Sequence, residues 1–186
     1  MNYYGAQELA ASFRTVRKNT LTIAEEIGEA HYGFRVTPDT RTIGQTLVHI
    51  AHVCELQEHV HGELHLTALE GFDFMGFIGP LIADEQTART KEEVIALLRE
   101  SGERFAHWLD GLSNEFLGET VAMPPGMTPA TKSRFEMILG VKEHEMHHRG
   151  QLMVMERMVG VVPHLTREFQ ARIAAMTASA TATAKA

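Results

Sequence analysis

The sequence has 186 residues, which is enough for one domain with a substantial core and too few for two of ordinary size. Its net charge of −7 argues against a nucleic-acid partner, because a nucleic-acid backbone binds clusters of Lys and Arg. The single cysteine, Cys54, excludes an internal disulfide framework and is typical of the cytoplasm. No apolar stretch approaches the roughly 20 residues of a membrane span, so we expect a cytoplasmic protein without a membrane partner.

Four segments carry apolar residues at alternating spacings of four and three, the pattern of an amphipathic helix. They cover about residues 6–27, 42–66, 90–109 and 131–159. In a capping box, Ser or Thr is followed three residues later by Glu or Gln, and such boxes stand near the start of the last three segments, at Thr42, Thr90 and Ser133. The sequence therefore predicts four long helices.

The segment between the second and third predicted helices has no such periodicity. Residues 67–89 are punctuated by glycine and proline, which predicts a long crossover with one short helical turn. A short helix is predicted over residues 166–176, and the Ala/Thr-rich residues 177–186 are predicted to be a disordered tail. With no convincing β-alternation, the chain is predicted to be all-α, a four-helix bundle forming a single domain over residues 1–176.

Three of the 11 histidines interrupt apolar stripes. His144 and His148 lie one turn apart on the fourth predicted helix, and His49 lies on the second. Facing helices of a bundle bring such side chains together, so the three imidazoles predict a metal site with a position open for water or substrate. The alternative interpretation is that they are hydrogen-bonded core histidines. Six further histidines are expected to be solvated, namely His52, His59, His61, His65, His107 and His164.

Glu145 and His147 are the candidate catalytic residues, as carriers of a proton. Glu145 lies about 60° from His148 around the helix and so flanks the same face, and His147 lies about 100° away. His144, Glu145 and His148 also match the His-Glu-x-x-His motif of zinc peptidases, with Glu168 as a candidate third ligand. Because no edge strand is predicted to hold an extended peptide, a zinc peptidase is the minor alternative.

The run His144-x-x-x-His148-Arg149-Gly150-Gln151-Leu152, together with Leu47-Val48-His49-Ile50-Ala51, resembles the DinB-like superfamily of metal-binding four-helix bundles. The resemblance extends over roughly residues 6–160. It implies a long crossover between the second and third helices, a divalent ion, zinc or nickel, on His49, His144 and His148, and a homodimer.

The same resemblance bears on activity. Members with an assigned reaction are similar to bacillithiol-dependent S-transferases or mycothiol-dependent maleylpyruvate isomerases. For this chain it implies a divalent-metal-dependent enzyme, a thiol S-transferase or a hydrolase, that acts on a small electrophilic molecule, with a low-molecular-weight thiol as the co-substrate in the first case. The alternative is a metal-binding stress-response protein without turnover.

Overall fold

The structure is a computed structural model that describes the backbone of residues 4–183 and the side chains of residues 4–180. In chain order its elements are α1 (Ala6–Glu26), α2 (Ile43–Gln57), α3 (Phe74–Asp84), α4 (Lys91–Asp110), α5 (Asn114–Gly118), β1 (Thr120–Ala122), β2 (Thr131–Ser133), α6 (Arg134–Met158) and α7 (His164–Thr183). A short 3-10 helix, Glu29–His31, follows α1, and a π-helix, Glu58–Glu63, continues α2.

Side-chain caps begin three of the long helices. The hydroxyl of Thr42 accepts from the Gln45 amide at the start of α2, and the hydroxyl of Thr90 accepts from the Glu93 amide at the start of α4. Ser133 caps α6 in the same way. Each cap satisfies one of the amide groups that a helix N-terminus leaves without a partner, so the predicted capping residues are confirmed.

The bundle is formed by α1, α2, α4 and α6, the four long helices predicted from the sequence. Helix α1 packs against α4 and α6, and α2 packs against the same two helices. Consecutive helices α1 and α2 therefore lie diagonally opposite each other, and the long connection between α2 and α4 lets these two become neighbours. The predicted four-helix bundle with a long crossover is confirmed.

The crossover contains more structure than the sequence predicts. Helix α3 occupies Phe74–Asp84, capped by the Asp73 carboxylate, which accepts from the Gly76 amide. None of its side chains is fully buried. Among the long helices, α3 packs mainly against α2. A helix lying on the bundle surface has no continuous core-facing stripe, which is why its periodicity is weak.

Two further predictions at the helix ends are wrong. The sequence predicts no strands, but β1 and β2 form a small antiparallel pair in which Thr120 pairs with Ser133 and Ala122 with Thr131. Because β2 occupies residues 131–133, α6 begins at Arg134, three residues after the predicted start. Helix α7 continues through Thr183, beyond the predicted end at residue 176. Residues 1–3 of the predicted domain and 184–186 of the predicted tail lie outside the described residues.

Within the described range, 4–183, no helix combines the length and the apolar character needed to cross a membrane.

Candidate metal centre

Three imidazoles from two helices converge on one point. Nε2 of His144 lies 2.8 Å from Nε2 of His49 and 2.9 Å from Nε2 of His148. The three nitrogen atoms lie within 4.8 Å of one another. Helix α2 supplies His49 and the neighbouring helix α6 supplies the other two, one turn apart. The structure thus brings together the three histidines that the sequence selects.

A carboxylate orients His49. The Nδ1 atom of His49 lies 2.7 Å from Oε1 of Glu85, the residue that ends α3. Glu85 is itself held by Arg41, whose Nε and Nη2 donate to its two oxygens at 2.6 and 3.2 Å. A carboxylate on the far nitrogen fixes the tautomer and the direction of an imidazole ligand, so Glu85 keeps Nε2 of His49 as the acceptor.

Gln151 does the same for His148. Its side-chain oxygen lies 2.8 Å from Nδ1 of His148, one turn earlier on α6. Its side-chain amide lies 3.2 Å from Nε2 of His147. Gln151 therefore fixes the tautomer of His148 and connects the site to His147 at its rim.

The facing nitrogens cannot satisfy one another by hydrogen bonds alone. In the neutral rings of His49 and His148, Nδ1 carries the hydrogen and Nε2 carries a lone pair. Nε2 of His144 has at most one hydrogen and can donate to only one of them. The other contact then has no hydrogen bond, although its two nitrogen atoms lie less than 3 Å apart. If His144 carries its hydrogen on Nδ1 instead, three lone pairs converge, an arrangement that a bound cation would relieve. The donor set therefore fits a divalent metal ion, and imidazole accepts zinc and nickel alike.

Burial keeps these rings neutral. It lowers the pKa of His49 and His148 below the usual value, and lowers the pKa of His144 to about 4, with the neighbouring His148 and His49 adding to the effect. The hydrogen bonds to Glu85 and Gln151 partly oppose the shift at His49 and His148. Neutral imidazole is the form that binds a metal.

The histidines stand between two clefts. An apolar cavity of about 410 Å³ opens beside His49 and His144, between α2, α3 and α6. A wider, more polar cleft of about 790 Å³ meets His148 and Gln151 from the other side. Small molecules can therefore reach the imidazoles, which a closed structural metal site would not allow.

The stripe that contains His49 is not the core face of α2. The core face consists of Ile43, Leu47, Ile50 and Cys54, all buried. His49, Val53 and Leu56 are only half-buried and line the apolar cavity. A cavity wall and a core both select apolar residues at helical spacing, so the periodicity alone does not separate them.

Glu145 is not brought to the imidazoles. It is fully buried, and its oxygens accept from Nε of Arg17 at 3.0 and 3.1 Å. This pairing corrects the predicted proton-carrying role of Glu145 and the peptidase interpretation, since both require a carboxylate that faces the metal. Glu168, the candidate third peptidase ligand, lies exposed on α7.

His147 lies exposed at the rim, where its ring meets that of His148 edge to face with centroids 5.0 Å apart. Three of the histidines expected in solvent are instead buried or held between two carboxylates. His61 and His164 are buried. His52 lies between the Glu55 and Asp84 carboxylates at 2.7 and 2.8 Å. Burial opposes protonation of His52, but these hydrogen bonds outweigh it and raise its pKa.

Sequence reasoning missed Glu85, Arg41 and Gln151 as parts of the site. Gln151 was within reach, because a side chain three residues after His148 lies on the same face. Glu85 had no local signal, since it lies 36 residues from His49 in the chain and meets it only through the fold.

Among curated proteins, none matches this chain at the significance we required. Solved structures of similar fold include a DinB-like protein, YjoA, from Bacillus subtilis, with 20% identity, a TM-score of 0.59 and coverage of 82% of this chain and 92% of that one. YfiT from Bacillus subtilis, described as a probable metal-dependent hydrolase with an unusual four-helix bundle topology, shows 16% identity, a TM-score of 0.62 and coverage of 87% and 91%. An uncharacterised protein from Clostridium difficile 630 shows 16% identity, a TM-score of 0.63 and coverage of 86% and 99%.

The family model of the DinB superfamily matches residues 12–152, a span that contains all three converging histidines, the whole of α2 and α6 as far as Leu152. The chain therefore belongs to the DinB superfamily.

Proposed function

We propose that this protein is a divalent-metal-dependent enzyme that acts on a small electrophilic molecule, with His49, His144 and His148 as the ligands of the ion. The observation that carries the proposal is the convergence of three Nε2 atoms within 4.8 Å, at the wall of a cavity large enough for a small molecule. Zinc or nickel is the proposed ion. The two outer residues, Glu85 and Gln151, hold two of the ligands in the tautomer that binds a metal.

A divalent ion on three imidazoles supplies a Lewis acid that lowers the pKa of a water or thiol, so that a nucleophile is available at neutral pH. Water as the nucleophile makes the protein a hydrolase, and a low-molecular-weight thiol makes it an S-transferase. The description of YfiT as a probable metal-dependent hydrolase supports the first, and the membership of the family leaves the second as the alternative reaction.

The proton released by the nucleophile needs an acceptor on the protein. We propose His147, because it lies exposed at the rim and is connected through Gln151 to the ligand His148. Glu145 is bound to Arg17 and instead fixes the back of α6 in the core. In this reaction Arg41 acts as a positioning residue, since it holds the Glu85 carboxylate against His49.

Metal analysis tests the ligand set. After reconstitution with zinc or nickel, we expect one ion per chain, and we expect His49→Ala and His148→Ala to lose it. Glu85→Ala should weaken metal affinity by about 10–100-fold without abolishing binding, because it removes the orientation of His49 and leaves the ligand itself. His107→Ala is the matched control, since His107 is exposed on α4, a helix that supplies none of the three converging histidines.

Turnover is tested separately. The metal-loaded protein is screened against small esters, amides and alkyl halides, with and without a panel of low-molecular-weight thiols. Turnover that disappears in His148→Ala and falls in His147→Gln supports the enzyme. Full metal occupancy in both His49→Ala and His148→Ala would contradict the proposed metal site. One ion per chain without turnover of any combination of thiol and electrophile would favour a metal-binding protein that is not an enzyme.

A further inference from the structure

Helix α3 forms one wall of the apolar cavity beside His49 and His144. The other walls belong to α2 and α6, and apolar side chains of α3 complete the lining, namely Phe74, Ile78, Leu81 and Ile82. With α3 removed, the cavity would be an open groove between α2 and α6. The position of α3 therefore determines whether a molecule beside these two imidazoles is enclosed.

This helix is attached to the bundle without joining its core. Most of its 11 residues are apolar, yet none is fully buried, and Phe74, Met75 and Ile82 are exposed. Its packing is mainly against α2, whereas α2 and α6 pack against each other and against further long helices. An element with few buried apolar contacts opens at a lower free energy than the core of the same protein. Helix α3 is therefore the wall that can separate while the other two stay packed.

Polar contacts hold the C-terminal end of α3. The Asp84 carboxylate lies 2.8 Å from Nε2 of His52 on α2. Glu85, the next residue, lies 2.7 Å from Nδ1 of His49 and accepts from Arg41. Water can replace each of these hydrogen bonds when the groups separate, so breaking them costs less than exposing a buried apolar face.

The N-terminal end of α3 is held by an aromatic contact and preceded by a glycine turn. The ring of Phe77 stacks on that of His59 with the centroids 4.5 Å apart. Gly71 has a φ of 78°, which glycine adopts without strain. Just before it, the Leu69 amide donates to the Ala122 carbonyl of β1 at 2.9 Å, which fixes the chain there. A movement of α3 would be absorbed between this contact and the helix, since hinges lie at the ends of elements.

We propose that α3 is a lid over the apolar cavity and that its closed position is coupled to metal binding through Glu85. With α3 in place, the Glu85 carboxylate keeps Nε2 of His49 available as an acceptor beside His144. Because Glu85 directly follows the last residue of α3, it leaves when the helix lifts, and His49 loses the group that fixes its tautomer. The inference rests on the proposed function and adds a conformational control to the same site.

The size of the coupling follows from linkage. A carboxylate behind a histidine ligand typically contributes about 10–100-fold to metal affinity. If only the closed protein has this carboxylate on His49, the closed form binds the ion more tightly than the open form by that factor. Coupling between two equilibria is reciprocal, so saturation with the ion must shift the lid toward its closed position by the same about 10–100-fold.

Hydrogen exchange measured by mass spectrometry tests the lid. The full chain is compared metal-free and saturated with zinc, or with nickel where zinc is not taken up, and the metal content of each sample is measured. Peptides from α3 are read against peptides from α4, a helix with several buried core residues. In the metal-free protein we expect the amides of α3 to exchange at least about tenfold faster than those of α4. Saturation with the ion should slow the exchange of α3 by about 10–100-fold.

Two variants separate the coupling from simple attachment. Glu85→Ala should still bind the ion at saturation, since the three imidazoles remain, but the ion should no longer slow the exchange of α3. Asp84→Ala is the matched variant, because Asp84 holds α3 through His52, which is not one of the converging histidines. It should speed the exchange of α3 in both states and leave the slowing by the ion intact. Amides of α4 that exchange through global unfolding should be slowed by the ion in all three proteins.

The outcomes distinguish this inference from the proposed function. Exchange of α3 as slow as that of α4 in the metal-free protein overturns the lid. Slowing of α3 by the same factor in Glu85→Ala, at a metal content equal to that of the wild type, overturns the coupling. A wild type that takes up no ion overturns the proposed function and the coupling with it, whereas rapid exchange of α3 in that protein still supports the lid.

Discussion

Glu156 of α6 is a fully buried carboxyl group, and neither of its oxygens has a hydrogen-bond partner within residues 4–183. Burial, reinforced by the charge of Glu26, raises its pKa from the ordinary value of 4.5 to about 7. In the folded protein the group therefore stays protonated up to near-neutral pH, whereas in the unfolded chain it ionises well below that. The folded state binds more protons in this interval, so stability falls as the pH rises from about 4.5 to 7.

Replacing this carboxyl by an amide removes the dependence. We expect Glu156→Gln to match the wild type at pH 4.5 and to exceed its free energy of unfolding by about 3 kcal/mol at pH 8, since each pKa unit between 4.5 and about 7 corresponds to 1.36 kcal/mol. Urea unfolding at the two pH values measures the difference. Glu100→Gln, at an exposed position on α4, should show no such gain; an equal gain in both variants would contradict the assignment.

At the same scale, the three converging histidines were predictable from the sequence, and the residues that hold their rings were predictable only in part. His144 and His148 are four apart on one helix, and this spacing is visible in the sequence. For His49, the sequence predicts only that the ring nitrogen facing away from a metal would donate to a carboxylate or a carbonyl group, as metal-binding histidines generally do. Which carboxylate it is depends on where α3 ends, and Glu85 is placed there by packing that no local pattern encodes.

At the scale of elements, Arg17 connects the four long helices. From α1 it donates to Glu145 of α6, to the Leu98 carbonyl of α4 and to the Ile50 carbonyl of α2, and it is almost fully buried. Burial opposes its charge, but Glu145 outweighs this effect and raises the pKa of Arg17. Arg17 therefore remains charged inside the bundle, where removal of its carboxylate partner would leave that charge uncompensated.

We expect Arg17→Met to lower the free energy of unfolding by about 3–5 kcal/mol, as measured by urea titration, because Glu145 would be buried alone. The double variant Arg17→Met with Glu145→Gln should recover much of that loss. Arg14→Met is the matched control on the same helix, since Arg14 pairs with Asp110 on the surface, where such pairs contribute roughly 0–1 kcal/mol. Equal losses at both arginines would show that the buried pair has no special role.

The elements themselves were predicted where periodicity and caps agree. Thr42, Thr90 and Ser133 begin helices as expected, because the capping hydrogen bond is local. Helix α3 was missed because it lies on the surface of the bundle. His61 was expected in solvent but is buried, because a π-helix changes the spacing after residue 57. The buried Arg17 was invisible, since nothing local predicts that an arginine between apolar positions will turn inward.

At the scale of the whole molecule, the number of long helices and the long crossover followed from the sequence, but their arrangement did not. The diagonal placement of α1 and α2 is a choice among several ways to pack four amphipathic helices, and the apolar stripes fit each of them. Contacts such as that between Arg17 and Glu145, 128 residues apart, select one arrangement. Nothing in the sequence distinguishes Arg17 and Glu145 from the other charged residues, so their pairing is recognised only in the folded structure.

Helix α7 offers a face for the homodimer that the family resemblance implies. Phe169, Ile173 and Met176 are 62%, 47% and 63% exposed and repeat at spacings of four and three on this face. Its first turns are held to the bundle through Arg167, which pairs with Glu26, and through His164, which meets Asn19. An exposed apolar stripe on a fixed helix favours pairing with an identical stripe across a two-fold axis.

We therefore expect the wild type to be a dimer by light scattering coupled to size-exclusion chromatography, and we expect Phe169→Glu with Ile173→Glu to be a monomer. The charges cannot be buried together in a self-complementary contact, whereas they are harmless on a monomer surface. Met75→Glu is the matched control, because Met75 is an equally exposed apolar side chain, 63%, on α3. A dimer that survives the double substitution would place the interface elsewhere, and a monomeric wild type would remove the homodimer itself.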